Sequence, residues 1–183
     1  MKLKLLLAPI ALLLFISCDE STQTVNVDGR YRVDLPSFLT EDKGLHEDAS
    51  LEYANTFREF YIIVLDESKE TVHNSFEENG LEYTSTLKGY ADLLVDNMKE
   101  SSSITTAPVL KETKINGLNA IVTNASGVVD NIPVYWQLAF IEGKNTYYQI
   151  VVWTLEDKKE DNQEKMAQII NTFKETDKAK KQP

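Results

Sequence analysis

Two neighbouring segments, Ile132–Ile141 and Thr146–Leu155, carry apolar side chains on both of their faces, and this restricts the fold more than anything else in the chain. In the first, Ile132, Val134, Trp136, Leu138 and Phe140 alternate on one side, with Tyr135, Ala139 and Ile141 on the other. In the second, Tyr147, Val151, Trp153 and Leu155 oppose Tyr148, Ile150 and Val152. A strand that is apolar on both sides must be covered on both sides, which excludes a meander or sandwich with a solvated outer face. Amphipathic helices are the available covers. From about Thr86, Leu87, Tyr90, Ala91, Leu94, Val95 and Met98 recur at helical spacing. From Asp157 to Lys174, Met166, Ile169, Ile170 and Phe173 form one apolar stripe. That helix would be roughly 27 Å long, a close match to the roughly 30 Å of a nine- or ten-residue strand. The predicted fold class is therefore α+β, an antiparallel sheet sandwiched between helices.

The rest of the chain is expected to complete this plan. Residues 19–24 are polar and read as a linker, followed by an alternating strand from Arg30 to Leu35 that Pro36 stops. Thr40–Ser50 reads as an acidic loop. Its Glu41, Asp42, Glu47 and Asp48 lack the Asp-x-Asp-x-Asp-Gly spacing that wraps calcium. Leu51–Ala54 and Phe57–Leu65 are predicted as paired strands joined at Asn55-Thr56, the second buried on both faces. Ser68 caps a short helix bearing Val72 and Phe76, which Asn79-Gly80 closes. Gly89 inside the longer helix lowers its propensity by about 1 kcal/mol relative to Ala and allows close packing. Pro108–Ile115 is a further strand, Asn116-Gly117 a hairpin turn, Leu118–Val128 the next strand, and Glu142–Asn145 another turn. The charged stretch from Glu175 to Pro183 reads as a fraying end, so a single domain is expected over residues 25–175, with 176–183 as its tail.

The order of these elements resembles the PsbP-like family, in which an antiparallel sheet lies between helices. The resemblance is carried by Tyr31-Arg32-Val33-Asp34-Leu35-Pro36, Asn116-Gly117-Leu118-Asn119-Ala120, the Tyr147–Trp153 strand and Ile169-Ile170-Asn171-Thr172-Phe173. It implies a non-enzymatic accessory or binding protein, a role that several bacterial lipoproteins with this fold share. It transfers no catalytic residue.

The N-terminus points to a location. Lys2 and Lys4 precede an apolar run from Leu5 to Ile16, too short to span a bilayer but suited to a signal-peptide core, and the run ends in Phe15-Ile16-Ser17-Cys18. Cys18 is the only cysteine. This layout resembles the bacterial lipoprotein box, in which the signal (here residues 1–17) is cut before the Cys and the thiol carries a lipid. The other reading is an ordinary secretory signal with an incidental thiol. Lipidation of Cys18 is the expectation adopted here, with residues 18–24 as attachment point and tether. Each buried methylene contributes about 0.8 kcal/mol, so two or more acyl chains hold a protein stably on a membrane. Asp19-Glu20 resembles surface-export signals of Bacteroidetes lipoproteins, and equally suits a plain polar tether.

Charge and motif content restrict the function classes. The net charge is −10, and removing residues 1–17 takes away Lys2 and Lys4, leaving 17 Lys and Arg against 29 Asp and Glu, or −12. Such acidity opposes nucleic-acid binding, which needs cations on the phosphates. His46 and His73 belong to no zinc-binding pattern and are expected at the surface; neither a Gly-x-Ser-x-Gly elbow nor a phosphate-binding Gly-rich loop occurs. With its one thiol committed to the N-terminus, the chain offers no cysteine nucleophile. Carboxylates are so numerous that a close pair would carry no information. Tyr135, Trp136, Tyr147, Tyr148 and Trp153 are expected mainly in the core, with one or two exposed at a strand end; the alternative is a binding platform. The expectation is a non-catalytic, cofactor-free and metal-free lipoprotein of the bacterial cell envelope, anchored to the outer membrane through Cys18 and acting on another envelope protein. A second reading is a lipoprotein that holds a small ligand or envelope lipid in a cleft between sheet and helix.

Overall fold

The structure, a computed structural model, describes residues 21–106 and 108–176. The predicted signal peptide, Cys18, Asp19-Glu20 and residues 177–183 lie outside the described residues. The main sheet has eight strands in the order β3-β4-β5-β10-β9-β8-β6, with β7 also paired to β8, and every pairing is antiparallel. These are β3 (Thr40–Glu41), β4 (Leu51–Asn55), β5 (Phe60–Ser68), β6 (Ser103–Thr106), β7 (Lys111–Ile115), β8 (Leu118–Val129), β9 (Ile132–Glu142) and β10 (Thr146–Leu155). A second sheet of three strands joins β1 (Thr22–Val27), β2 (Tyr31–Pro36) and β11 (Lys174–Glu175).

Both faces of the main sheet are covered, as the double-sided strands require. On one side α1 (Lys69–Glu78) and α2 (Leu87–Ser101) bury Val72, Phe76, Tyr90, Ala91 and Val95 against Trp136, Leu138, Phe140 and Tyr147. On the other, α3 (Lys159–Thr172) and the small sheet bury Met166, Ile169, Ile170, Tyr31 and Leu35 against Tyr135, Ala139, Ile141, Tyr148 and Ile150. The alternation read from Ile132–Ile141 is therefore the observed division of side chains, except that Ile132 stands 51% exposed at the strand's start. Ser68 and Thr86 cap α1 and α2 through their hydroxyls, which accept the Thr71 and Gly89 amides.

Five local expectations are corrected. Thr22–Thr24, read as linker, begins an edge strand: Thr22, Thr24 and Asn26 face out while Gln23, Val25 and Val27 turn inward, and pairing with β2 supplies the order that composition does not. The β4–β5 connection is the four residues 56–59, so Phe57 sits on a turn, 99% exposed, and not in a buried strand. Glu59 closes that turn with a left-handed φ of 50°. The run Ser101–Ser103, expected only to end the longer helix, gives its last residue to a strand, Ser103–Thr106, that pairs with β8. The last helix begins at Lys159, after a single 3-10 turn over Glu156–Lys158. Lastly, Glu175, read as the start of a frayed tail, is buried. Its carboxylate accepts hydrogen bonds from the Tyr148 hydroxyl at 3.2 Å and the Lys144 amide, while β11 pairs with β2.

Candidate functional site

The two covers of the main sheet are unequal. Along β10, the residues facing α3 and the small sheet (Tyr148, Ile150, Val152 and Thr154) are all buried. Those facing α1 and α2 are buried only at Tyr147; Gln149, Val151, Trp153 and Leu155 are half-buried. α1 covers the Tyr147 end and α2 lies over β8 and β9, so a strip over β5 and β10 is left partly open to solvent. Cross-strand register builds an aromatic row on this strip. Trp153 stands opposite Tyr61 on β5 and opposite Trp136 on β9. Tyr61 and Trp153 stack with centroids 5.2 Å apart and an interplanar angle of 10°, a favourable arrangement for offset rings. Trp136, next in the row, is buried against α2.

The row passes from core at Trp136 to open shelf at Tyr61, with Val151 beside it. The Tyr61 hydroxyl donates to Glu59 at 2.8 Å. Partial burial, reinforced by that acceptor, pushes the phenol up to about 12. It is thus a fixed neutral donor at physiological pH, and the shelf presents flat apolar surface bordered by carboxylates. Such a surface suits contact with another macromolecule, because aromatic side chains supply large areas at little entropic cost and are enriched in interfaces.

Of the five aromatic residues singled out by sequence, Tyr135, Trp136, Tyr147 and Tyr148 are core and Trp153 alone opens to solvent. Tyr61 was not recognisable as its partner, because it lies within the continuous run Phe60–Leu65. Only the register between β5 and β10 brings it to Trp153.

A polar group lies beneath α1. His73 Nε2 is 3.1 Å from the Tyr147 hydroxyl, the Tyr90 hydroxyl donates to Glu67 at 2.7 Å, and the two tyrosine rings stack at 4.8 Å. Lys69 pairs with Glu142 at 2.9 Å, and Asn119 donates to the same carboxylate at 3.0 Å. The Asn119 amide and the Lys69 ammonium hold Glu142 below the usual carboxylate range, whereas burial pushes Tyr90 and Tyr147 up. The raised phenols keep their protons, and Tyr90 donates its own to Glu67. These contacts tie α1 and α2 to β5, β9 and β10. His46 lies apart in the 42–50 loop, where its ring accepts the Asp48 amide and its own amide donates to Glu52. The His46 amide first, then those of Leu45 and Gly44, hold Glu52 below its ordinary value. Asp42 and Asp48 lie in the same exposed loop. No group of three or more metal-ligating side chains converges among the described residues.

Between α3 and the edge of the sheet lies an open groove of about 430 Å³, lined in part by Val109, Val122, Ala167 and Ile170. Among the described residues, no helix is long and apolar enough to cross a membrane.

No family profile matches the chain, and no curated protein sequence matches it. Solved structures do. The chain is similar to cyanobacterial PsbP (CyanoP) of Synechocystis sp. PCC 6803, at 10% identity and a TM-score of 0.55, covering 85% of this chain and 93% of that one. It is similar to the Ran-binding protein Mog1p of Saccharomyces cerevisiae, at 12% identity and a TM-score of 0.56, covering 87% and 98%. It is also similar to LpqN of Mycobacterium tuberculosis, a protein involved in cell envelope biogenesis, at 10% identity and a TM-score of 0.56, covering 85% and 91%. The chain has the PsbP/Mog1-like fold that its element order suggested.

Proposed function

We propose that this protein is a non-catalytic lipoprotein of the bacterial cell envelope, anchored to the outer membrane through lipid on Cys18, which works as an accessory module by docking another envelope protein. The observation that carries the docking role is the open strip over β5 and β10, with its Tyr61–Trp153 shelf. Anchoring is supported by the signal-like segment that ends at the only cysteine. The fold adds support from LpqN and Mog1p: one is described as involved in envelope biogenesis, the other as a Ran-binding protein. An interaction module needs a rigid scaffold and an apolar contact patch, and this chain supplies both.

The test is site-specific photo-crosslinking in cells. A photoreactive amino acid at Gln149 or Val151, both at the border of the shelf, is expected to yield one discrete adduct with an envelope protein. The adduct should be lost when Trp153→Ala is added. Absence of any protein adduct from both positions overturns the docking role.

The groove beside α3, with Val109 on its lip, favours a second reading in which a small ligand or envelope lipid binds between helix and sheet. A photoreactive residue at Val109 that captures a small molecule, with silence at Gln149 and Val151, would select it.

A further inference from the structure

The first described residue and the most exposed aromatic side chain among the described residues lie at the same end of the fold. The first described residue, Ser21, is bonded to Ser37 through both backbone and side chain. The next residue, Phe38, accepts a hydrogen bond from the Asn55 side-chain amide at 2.8 Å and packs its ring on Phe60 at 5.8 Å. The Arg58 guanidinium sits 4.1 Å from the centre of the Phe38 ring. Phe57, at the tip of this turn and 99% exposed, is thus a near neighbour of the point where the tether joins the domain.

Three residue steps separate Ser21 from Cys18. At no more than about 3.6 Å each, they keep the lipid-bearing residue within about 11 Å of Ser21, whatever their conformation.

The same end is apolar beyond Phe57. β10 ends beside the start of β5, with Thr154 opposite Phe60, and Leu155 lies opposite Val134 on β9. Ile132, Pro133 and Leu155 line a shallow depression of about 420 Å³ there, next to the β8–β9 turn. The large apolar side chains exposed among the described residues are Phe57, Leu81, Val109, Val129 and Ile132, and Phe57, Val129 and Ile132 belong to this end. Its charges are mixed: Arg58, Lys159 and Lys165 against Glu59, Asp130, Glu156 and Asp157. Apolar contact, with no demand for anionic lipid, is what such an end offers to a bilayer surface.

We infer that this end is a membrane-contact face, on which Phe57, supported by Ile132 and Val129, dips into the lipid interface next to the acylated Cys18 and fixes the orientation of the domain on the bilayer. The inference rests on the lipid-anchor reading above. The acyl chains supply the affinity, and Phe57 supplies the orientation. The strands then stand away from the membrane, with the Asn116-Gly117 and Glu142–Asn145 turns at the distal end. The Tyr61–Trp153 shelf lies on the flank next to the lipid, within reach of a membrane-embedded partner.

The test uses the full chain, purified from membranes and reconstituted in vesicles of phosphatidylethanolamine and phosphatidylglycerol. Phe57→Cys, Ile132→Cys and Val109→Cys variants carry an environment-sensitive fluorophore, and Val109, 77% exposed, reports on the flank beside α3. Phe57 has almost no buried surface, so its replacement leaves folding intact. The probes at 57 and 132 are expected to shift to the blue and to be quenched by lipids with a shallow nitroxide, while the probe at 109 keeps its aqueous emission. Acylation is read separately, from the mass of the N-terminal fragment. An acylated chain whose probe at 57 stays in water, or whose probe at 109 is immersed instead, overturns the membrane-contact face and leaves the anchor standing. An unacylated Cys18 overturns the anchor reading and this inference with it.

Discussion

Asn116 links a turn to a helix. Its φ of 47° and the 87° of Gly117 are left-handed, as the hairpin between β7 and β8 requires, and Asn tolerates that region better than most residues. Its side-chain amide also donates to the carbonyls of Asn171 and Phe173, at 2.9 and 2.7 Å, where α3 ends and has spare acceptors. Asn116→Ala places a Cβ-only side chain in a left-handed site and removes both donors, and is expected to cost about 2–3 kcal/mol. Asn116→Gly keeps the backbone freedom, loses only the donors, and is expected to fall midway between wild type and Asn116→Ala. Urea titrations of the three proteins check this, and equal stability for the Gly and Ala variants would show that the backbone carries none of the cost. The sequence made the turn legible, because Asn-Gly between two apolar runs is a local signal. The bonds to Asn171 and Phe173 were not legible, since they join positions more than fifty residues apart. Trp153 and Tyr61 repeat the pattern: aromatic character is visible in a string of letters, but a stacking partner on another strand is not.

At the scale of elements, what could be read is what is periodic. β9, β10 and α2 declared themselves through their own side chains, and so did the Ser68 cap of α1, whereas Thr86 was legible only as the place where α2 begins. β1, β6 and β11 did not, since each is short, largely polar and ordered by a neighbour: β2 for the first and last, β8 for the other. The turn at 56–59 escaped for the opposite reason, because Phe57 extends an apolar run that the chain does not bury. α2 shows how a local propensity can mislead in the other direction. Gly89 is a poor helix former, and replacing it with Ala would by propensity alone gain about 1 kcal/mol. A Cβ there would clash with the Thr84 carbonyl oxygen, with other backbone atoms of Thr84 at 2.8 Å. That segment is itself fixed by the Thr86 amide, which donates to the Thr84 carbonyl. Gly89→Ala is therefore expected to destabilise the protein by about 1–3 kcal/mol despite its better propensity, measured as a fall in thermal midpoint; a rise would show that the 84–86 turn yields freely.

For the whole molecule, two stacked cores give the sheet rigidity on both faces, and tyrosines concentrate in both. Tyr31, Tyr90, Tyr147 and Tyr148 are all buried, and burial raises each phenol above its ordinary 10.0, Tyr31 to about 12. An unfolded chain begins to lose these protons near pH 10 while the folded chain keeps them. The unfolded state then binds fewer protons, so stability falls as pH rises. The stability associated with the neutral phenols is fully present below pH 10 and declines through the folded values above it. Tyr31 alone accounts for about 2 kcal/mol of loss by about pH 12. The protein is therefore expected to unfold cooperatively in alkali, with phenolate absorbance of the buried tyrosines appearing together with loss of circular dichroism. Tyr31→Phe keeps the ring against Phe173 and Tyr148 and gives up the contact with Ser50. It is expected to lose about 1 kcal/mol at neutral pH but to show a shallower decline between pH 10 and 12. Phenolate absorbance of all eight tyrosines that rises smoothly around pH 10 in a chain that stays folded would mean that water reaches the buried rings, and that the cores on the two faces of the sheet are not closed.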